Sequence, residues 1–202
     1  MIKNLIFDFG KVLVDYDFRH VVDQFFTDKD EEETFLGLFA SPEFLDICDK
    51  EDTPFDDIID DMAGRHPQYA RQAELYKERY AEFVTNEVVG MREVLEEMRG
   101  RGYKLYGLTN WCSKVHEVMR RFSIFELLDG RVISSEEHLI KPDTAIYERL
   151  CERYGLKAEE CVFADDKAVN VVGAISAGMK GIVFQNAKQY KRELEGMIRE
   201  QR

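Results

Sequence analysis

The chain has 202 residues, 45% of them hydrophobic and 34% charged, with a formal net charge of -12. That balance suits one soluble globular domain with room for a smaller insertion, and it excludes a disordered chain. The acidic surplus excludes nucleic acid as a partner, because no basic face is available to meet a phosphate backbone.

Met1 leads directly into strand-like residues, without a basic and then apolar leader, and no apolar run approaches the roughly 18–20 residues that cross a bilayer. Cys48, Cys112, Cys151 and Cys161 are scattered, with no C-x-x-C pair, and read as reduced thiols. The expectation is a cytoplasmic protein with no membrane partner, a monomer or small homo-oligomer.

In chain order, "IKNLIF" at 2–7 reads as a buried strand that delivers a lone carboxylate, Asp8, followed two residues later by Gly10. Residues 17–86 then carry several helical patterns and no good strand, with Pro42, Pro54 and Pro67 placed where proline can open a helix. A helix is predicted over 88–99, a strand at 103–108 ("YKLYGL") ending next to Thr109 and Asn110, and a helix over 112–122. "RVISS" at 131–135 is a weaker strand, and Lys141 lies in the following loop before a helix over 143–154. "CVFA" at 161–164 delivers Asp165 and Asp166; a helix over 168–177, a strand at 181–184 and a helix over 187–200 complete the chain. This alternation predicts an α/β fold, a doubly wound parallel sheet built from 1–16 and 87–202, with a helical module inserted at 17–86.

Open α/β sheets bind ligands beyond the carboxyl ends of their strands. Asp8, Thr109, Asn110, Asp165, Asp166 and Lys141 are all expected at that rim. Singly, each aspartate or Thr109 could cap a helix, and Lys141 could be a solvated loop lysine. Together they are a candidate site.

The ordered set closely resembles the haloacid dehalogenase-like hydrolase superfamily over essentially the whole chain. "LIFDFGKVLV" resembles its first motif, with Asp8 as nucleophile, and "LYGLTN" its second, ending in Thr109. "IKPDTAIYERL" resembles the third and supplies Lys141; "VFADDKAVNVVGAISAGM" resembles the fourth, with Asp166 as principal acid, Asp165 before it and Asn170 after it. The resemblance implies a Rossmann-like core, residues 17–86 as a helical cap, and a metal held by Asp8, the Gly10 carbonyl, Asp166 and Asp165. The "DFG-x-V" opening and "LTNW" look most like the sugar-phosphatase and epoxide-hydrolase-phosphatase branches.

Charge arithmetic leads to the same chemistry. A phosphate dianion beside three carboxylates meets about 4 kcal/mol per like-charged pair at ~4 Å in an effective dielectric near 20. Lys141 alone does not offset that, so a hard divalent cation, Mg²⁺, is expected. Asp8 would form an aspartyl-phosphate, with Lys141, Thr109 and Asn110 binding the phosphoryl group of a small phosphorylated metabolite such as a sugar phosphate.

Phosphatases of this family usually carry an acid two residues after the nucleophile, where this chain has Gly10. Asp15 and Asp17 are candidate replacements. Without any replacement, rates should depend steeply on leaving-group acidity. Two alternative functions remain open at this point: a metal-independent 2-haloacid dehalogenase, and a non-catalytic phosphate-binding regulator. The four histidines share no ligand spacing, no nucleotide fingerprint occurs, and the acidic stretch 46–57 reads as a solvated face.

Overall fold

The computed structural model describes residues 1–200. The strands are β1 (Asn4–Phe7), β2 (Val14–Tyr16), β3 (Val84–Glu87), β4 (Lys104–Thr109), β5 (Gly130–Ile133), β6 (Cys161–Asp165) and β7 (Lys180–Val183). Five of them form a parallel sheet in the order β5-β4-β1-β6-β7. The five expected core strands and the helices between them all form, and the fold class is the one the alternation predicts.

β1 lies at the centre and is buried at every residue. Its side chains alternate between two cores, as strand geometry requires. Leu5 and Phe7 join Leu95, Met98, Tyr190 and Leu194 of the helices Met91–Gly100 and Ala187–Arg199. Ile6 joins Tyr147, Leu150 and Ala174 of the helices Thr144–Tyr154 and Ala168–Ser176 on the opposite face. Burial on both faces is why these strands read as unbroken apolar runs.

Between β2 and β3 the chain is helical: Arg19–Val22, Lys29–Phe39, Pro42–Lys50, Phe55–Arg65 and Ala70–Glu78, with short 3-10 turns. Pro42 occupies the first turn of its helix, Pro54 immediately precedes the next, and Pro67 opens a 3-10 turn. Aromatic rings cement the bundle; Phe35 stacks on Phe39 at 4.3 Å and Tyr76 meets Phe83 at 4.9 Å. β2 and β3 pair antiparallel, with a register shift between Asp15 and Tyr16, so the helices leave and return through a two-stranded neck. The sequence reading found no strand within 17–86. A strand this short, exposed at Thr85 and Asn86, gives too few alternations to show a period.

All four cysteines are free. Among the described residues no helix is long and apolar enough to cross a membrane.

Gly173 determines how closely the Lys141 loop can approach. A Cβ at this position would lie 2.5 Å from the Pro142 carbonyl oxygen and 3.0 Å from the Tyr147 hydroxyl. Neither backbone nor buried tyrosine can yield cheaply, so Gly173→Ala should lower stability by about 1–3 kcal/mol. Chemical denaturation measures that loss; unchanged stability would mean the loop is free to move.

Candidate active site

Register sets the geometry. Phe7 is level with Gly107 of β4 and Ala164 of β6, and the Asp8 amide donates to the Ala164 carbonyl at 2.9 Å. The next residue on each strand therefore emerges at one rim. Asp8, Asp165 and Asp166 each place a carboxylate oxygen within 4.8 Å of the others.

Lys141 is 3% exposed and connects this group to the third motif. Its Nζ lies 2.9 Å from Asp8 Oδ1 and 2.7 Å from Asp165 Oδ2, and donates to the Leu108 carbonyl at 3.1 Å. Burial opposes its charge, but the two carboxylates outweigh burial and hold the ammonium above the ordinary lysine range. Burial also pushes the Asp8 carboxyl up to about 6, with Lys141 pulling it down and Asp165 adding to the rise.

Asp165 and Asp166 are held differently. Asp165 is fully buried, and its oxygens accept from Lys141 Nζ, the Lys167 amide at 2.8 Å, and Asn170 Nδ2 at 3.0 and 3.1 Å. These bonds occupy the roughly four acceptor positions a carboxylate offers. Tyr147 in turn donates to the Asn170 carbonyl at 2.6 Å. Asp166 is exposed and lines the cavity above Asp8, as does Gly10. Asp8, Asp165 and Asp166 are thus the carboxylates that could hold a cation, with Gly10 lining the same cavity and Asp165 already spending its acceptor positions on Lys141, Lys167 and Asn170. Hard oxygen donors around one lysine suit Mg²⁺.

Asn110 was expected to touch substrate. It lines the cavity, and its Oδ1 accepts from the Lys141 amide at 2.8 Å while its Nδ2 donates to the Lys141 carbonyl at 3.0 Å. The side chain is a two-sided clamp on the lysine backbone. Thr109 is fully buried, and its hydroxyl has no hydrogen-bond partner among the described residues. An orphaned buried hydroxyl costs about 1–3 kcal/mol.

The place of the missing acid is filled. A Cβ on Gly10 would meet Tyr16 Cε1 at 2.9 Å, so the tyrosine ring stands where a side chain at position 10 would go. Burial, with Asp166 and Asp8 adding, pushes Tyr16 up to about 12, which keeps its proton on. The two replacements considered from sequence have other roles. Asp15 pairs with Lys11 at 2.5 Å, and Asp17 accepts from the Arg19 amide at 2.9 Å to start a short helix. Neither lines the cavity.

That cavity, of about 250 Å³, opens over Asp8 between the sheet rim and the helical segment. Tyr16, Phe18, Tyr80 and Trp111 supply aromatic wall, and the Trp111 indole N–H donates to the Tyr80 hydroxyl at 3.1 Å. Pro42, Leu45, Asp46 and Asp49 also line it. Their spacing puts them on one face of the helix Pro42–Lys50, while Phe44 and Cys48 face the core.

The profile of the haloacid dehalogenase-like hydrolases matches residues 2–178. The chain belongs to that family. Within the family it is 30% identical over 109 residues to a sesquiterpene phosphatase of Aspergillus oryzae, spanning 54% of this chain and 56% of that protein. It is 32% identical over 111 residues to a phosphatase of Mycobacterium tuberculosis (54% and 50%). A flavin mononucleotide hydrolase of Arabidopsis thaliana is 26% identical over 108 residues (54% and 44%). The matched stretch is therefore about half the length of these curated relatives. A haloacid dehalogenase family enzyme from Bacteroides thetaiotaomicron, solved with magnesium and inorganic phosphate, superposes with a TM-score of 0.73 at 18% identity, over 92% of this chain and 96% of that one. A family hydrolase from Porphyromonas gingivalis gives 0.73 at 19% identity over 98% of both chains. Both share the fold.

The family motifs were legible because they are contiguous. Asp49 and Tyr16 belong to no motif, and the acidic stretch 46–57 is expected to be a solvated face. Most of it is: Asp52 pairs with Lys50 and Asp56 with Lys114. Cys48 and Phe55 are buried, and Asp46 and Asp49 line the cavity, Asp49 half-buried, at the helical spacing to Pro42 and Leu45.

Proposed function

We propose that the protein is a Mg²⁺-dependent phosphatase that hydrolyses a small phosphorylated metabolite through an aspartyl-phosphate on Asp8. The observation that carries this reading is the cavity that opens over Asp8, a carboxylate held by Lys141 Nζ at 2.9 Å and clustered within 4.8 Å of Asp165 and Asp166. The Thr109 hydroxyl, buried and unpartnered at the end of β4, is the neutral donor the reading assigns to a phosphoryl oxygen. The relatives named as phosphatases support the same chemistry.

In this reading Lys141 fixes one Asp8 oxygen, leaving the other to attack phosphorus. Thr109 and Lys141 hydrogen-bond the transferring phosphoryl oxygens as charge builds on them. Asp8, Asp166 and the Gly10 carbonyl hold the metal, and Asp165 with Asn110 keeps Lys141 in register. Bound there, Mg²⁺ would supply the positive charge that lets a dianion approach three carboxylates. The aromatic walls suit a sugar ring or another apolar-faced group on the ester.

A panel of sugar, nucleotide and isoprenyl monophosphates, assayed with Mg²⁺ and with chelator, tests the reading. Phosphate release should require the metal, and Thr109→Val should cut it by about 10²–10³-fold. The variant should be at least as thermostable as the parent, because it removes an unsatisfied hydroxyl. Halide release from a 2-haloacid in chelator would establish the dehalogenase reading instead. Phosphate binding without turnover would leave a regulator.

A further inference from the structure

The Tyr16 ring occupies the space where the usual carboxylic proton donor would stand, so an acid that protonates the leaving group would have to come from elsewhere in the cavity. Among the acids that line it, Asp8 is committed to Lys141 and Asp166 to the group beside Asp8. Asp46 is exposed. Asp49 remains.

Its surroundings are distinctive. The helix Pro42–Lys50 is anchored to the sheet domain around Asp49: Ser134 Oγ donates to the Asp49 carbonyl, and Glu51 accepts from Ser113 Oγ at 2.8 Å and from the Ser113 amide. The backbone is thus held on the core side, and the carboxyl lines the cavity that contains Asp8. Among the described residues no hydrogen bond or ion pair engages that carboxyl. Every other half-buried or buried acid of the site has such a partner.

We propose that Asp49, which no family motif contains, is the general acid and base of this phosphatase. The proposal rests on the aspartyl-phosphate reading above. Protonated Asp49 gives its proton to the ester oxygen as the P–O bond to the leaving group breaks and the Asp8 O–P bond forms, releasing a neutral alcohol. The resulting Asp49 carboxylate then takes a proton from the water that attacks phosphorus. The Asp8 O–P bond breaks, inorganic phosphate leaves, and both side chains return to their starting forms.

The charge environment supports an acid that works near neutrality. Burial pushes the Asp49 carboxyl up to about 7; Lys167 and, more weakly, Lys141 pull it down, while Asp46 and Asp8 push it up. Tyr16, Tyr80 and Cys112 also feel its charge and are themselves held neutral by burial. A donor poised near the working pH contributes about 10²–10⁴-fold. With Asp49 in place, the steep leaving-group dependence expected from Gly10 alone should be absent in the unmodified protein.

The test compares single-turnover phosphoryl transfer from an aryl and a primary alkyl phosphate, with Mg²⁺, in the parent and in Asp49→Asn. An aryl oxide needs little protonation, so its transfer step should slow by less than tenfold. Alkyl transfer should slow by about 10²–10³-fold. Subsequent phosphate release should slow for both, giving the variant a burst with the aryl ester. In the parent, alkyl turnover should fall as pH rises through the neutral range, and that limb should disappear in Asp49→Asn. The acidic limb, where substrate protonates, should persist.

Equal losses on both esters would make Asp49 a structural or binding residue and overturn the proposal. So would an alkyl-selective loss in Tyr16→Phe but not in Asp49→Asn. If the parent releases no phosphate from either ester, or Asp8→Asn releases it as well, the phosphatase reading falls first. Asp49→Asn is nearly isosteric and breaks no bond of the side chain, so its melting temperature serves as the folding control.

Discussion

Asp8→Asn is expected to abolish phosphate release, by about 10⁴-fold or more, with the fold intact. An amide oxygen cannot serve as the nucleophile, and the adjacent Asp165 is saturated by Lys141, Lys167 and Asn170. The cost to stability should be small for a physical reason. Burial already pushes the Asp8 carboxyl up to about 6, so this site tolerates a neutral group, and Lys141 keeps its contact with Asp165. Steady-state rates together with a melting curve are the check. Retention of more than a few per cent of the activity, in a properly folded variant, would remove Asp8 from the chemistry.

Lys141→Met should damage both stability and rate. The ammonium is 3% exposed and is shared by two carboxylates that are themselves buried. Removing one side of a buried ion pair leaves uncompensated charge and costs about 3–5 kcal/mol. The pH dependence follows from the directions of the shifts. Lys141 is held above its ordinary value, so its stabilising contribution is complete below about 10.4, the unfolded lysine value, and fades only as pH rises through the higher folded one. At neutral pH the full deficit should therefore be seen. Asp8 in the variant loses its main downward pull, so protonating it relieves the strain as pH falls. Urea titrations at pH 5 and pH 8 should show the larger gap from the parent at pH 8. A gap that is constant across this range would mean that the carboxylates find another partner. Catalysis should fall along with stability, because Lys141 holds Asp8 and, in the proposed reaction, binds the phosphoryl group.

Asp8, Thr109 and Asp165 could be placed from sequence because each ends or follows an apolar run, and parallel strands deliver those positions to one rim whatever the rest of the chain does. Lys141 was found by motif, but its two ion pairs depend on the Asn110 clamp and on the space left by Gly173. Asn110 lines the cavity, and only the fold shows that its amide also clamps the Lys141 backbone.

The sequence by itself determined the layered α/β plan, the five core strands and the family's four motifs, because these are encoded by local periodicity and contiguous residues. Only the tertiary structure decided what surrounds them. That Tyr16 fills the space above Gly10 depends on the β2–β3 neck, and that Asp49 is half-buried in the cavity wall depends on how the helix Pro42–Lys50 docks. A carboxylate on a helix reads the same in sequence whether it faces water or a cavity. Its protonation is set by the desolvation and charges that distant segments bring to it.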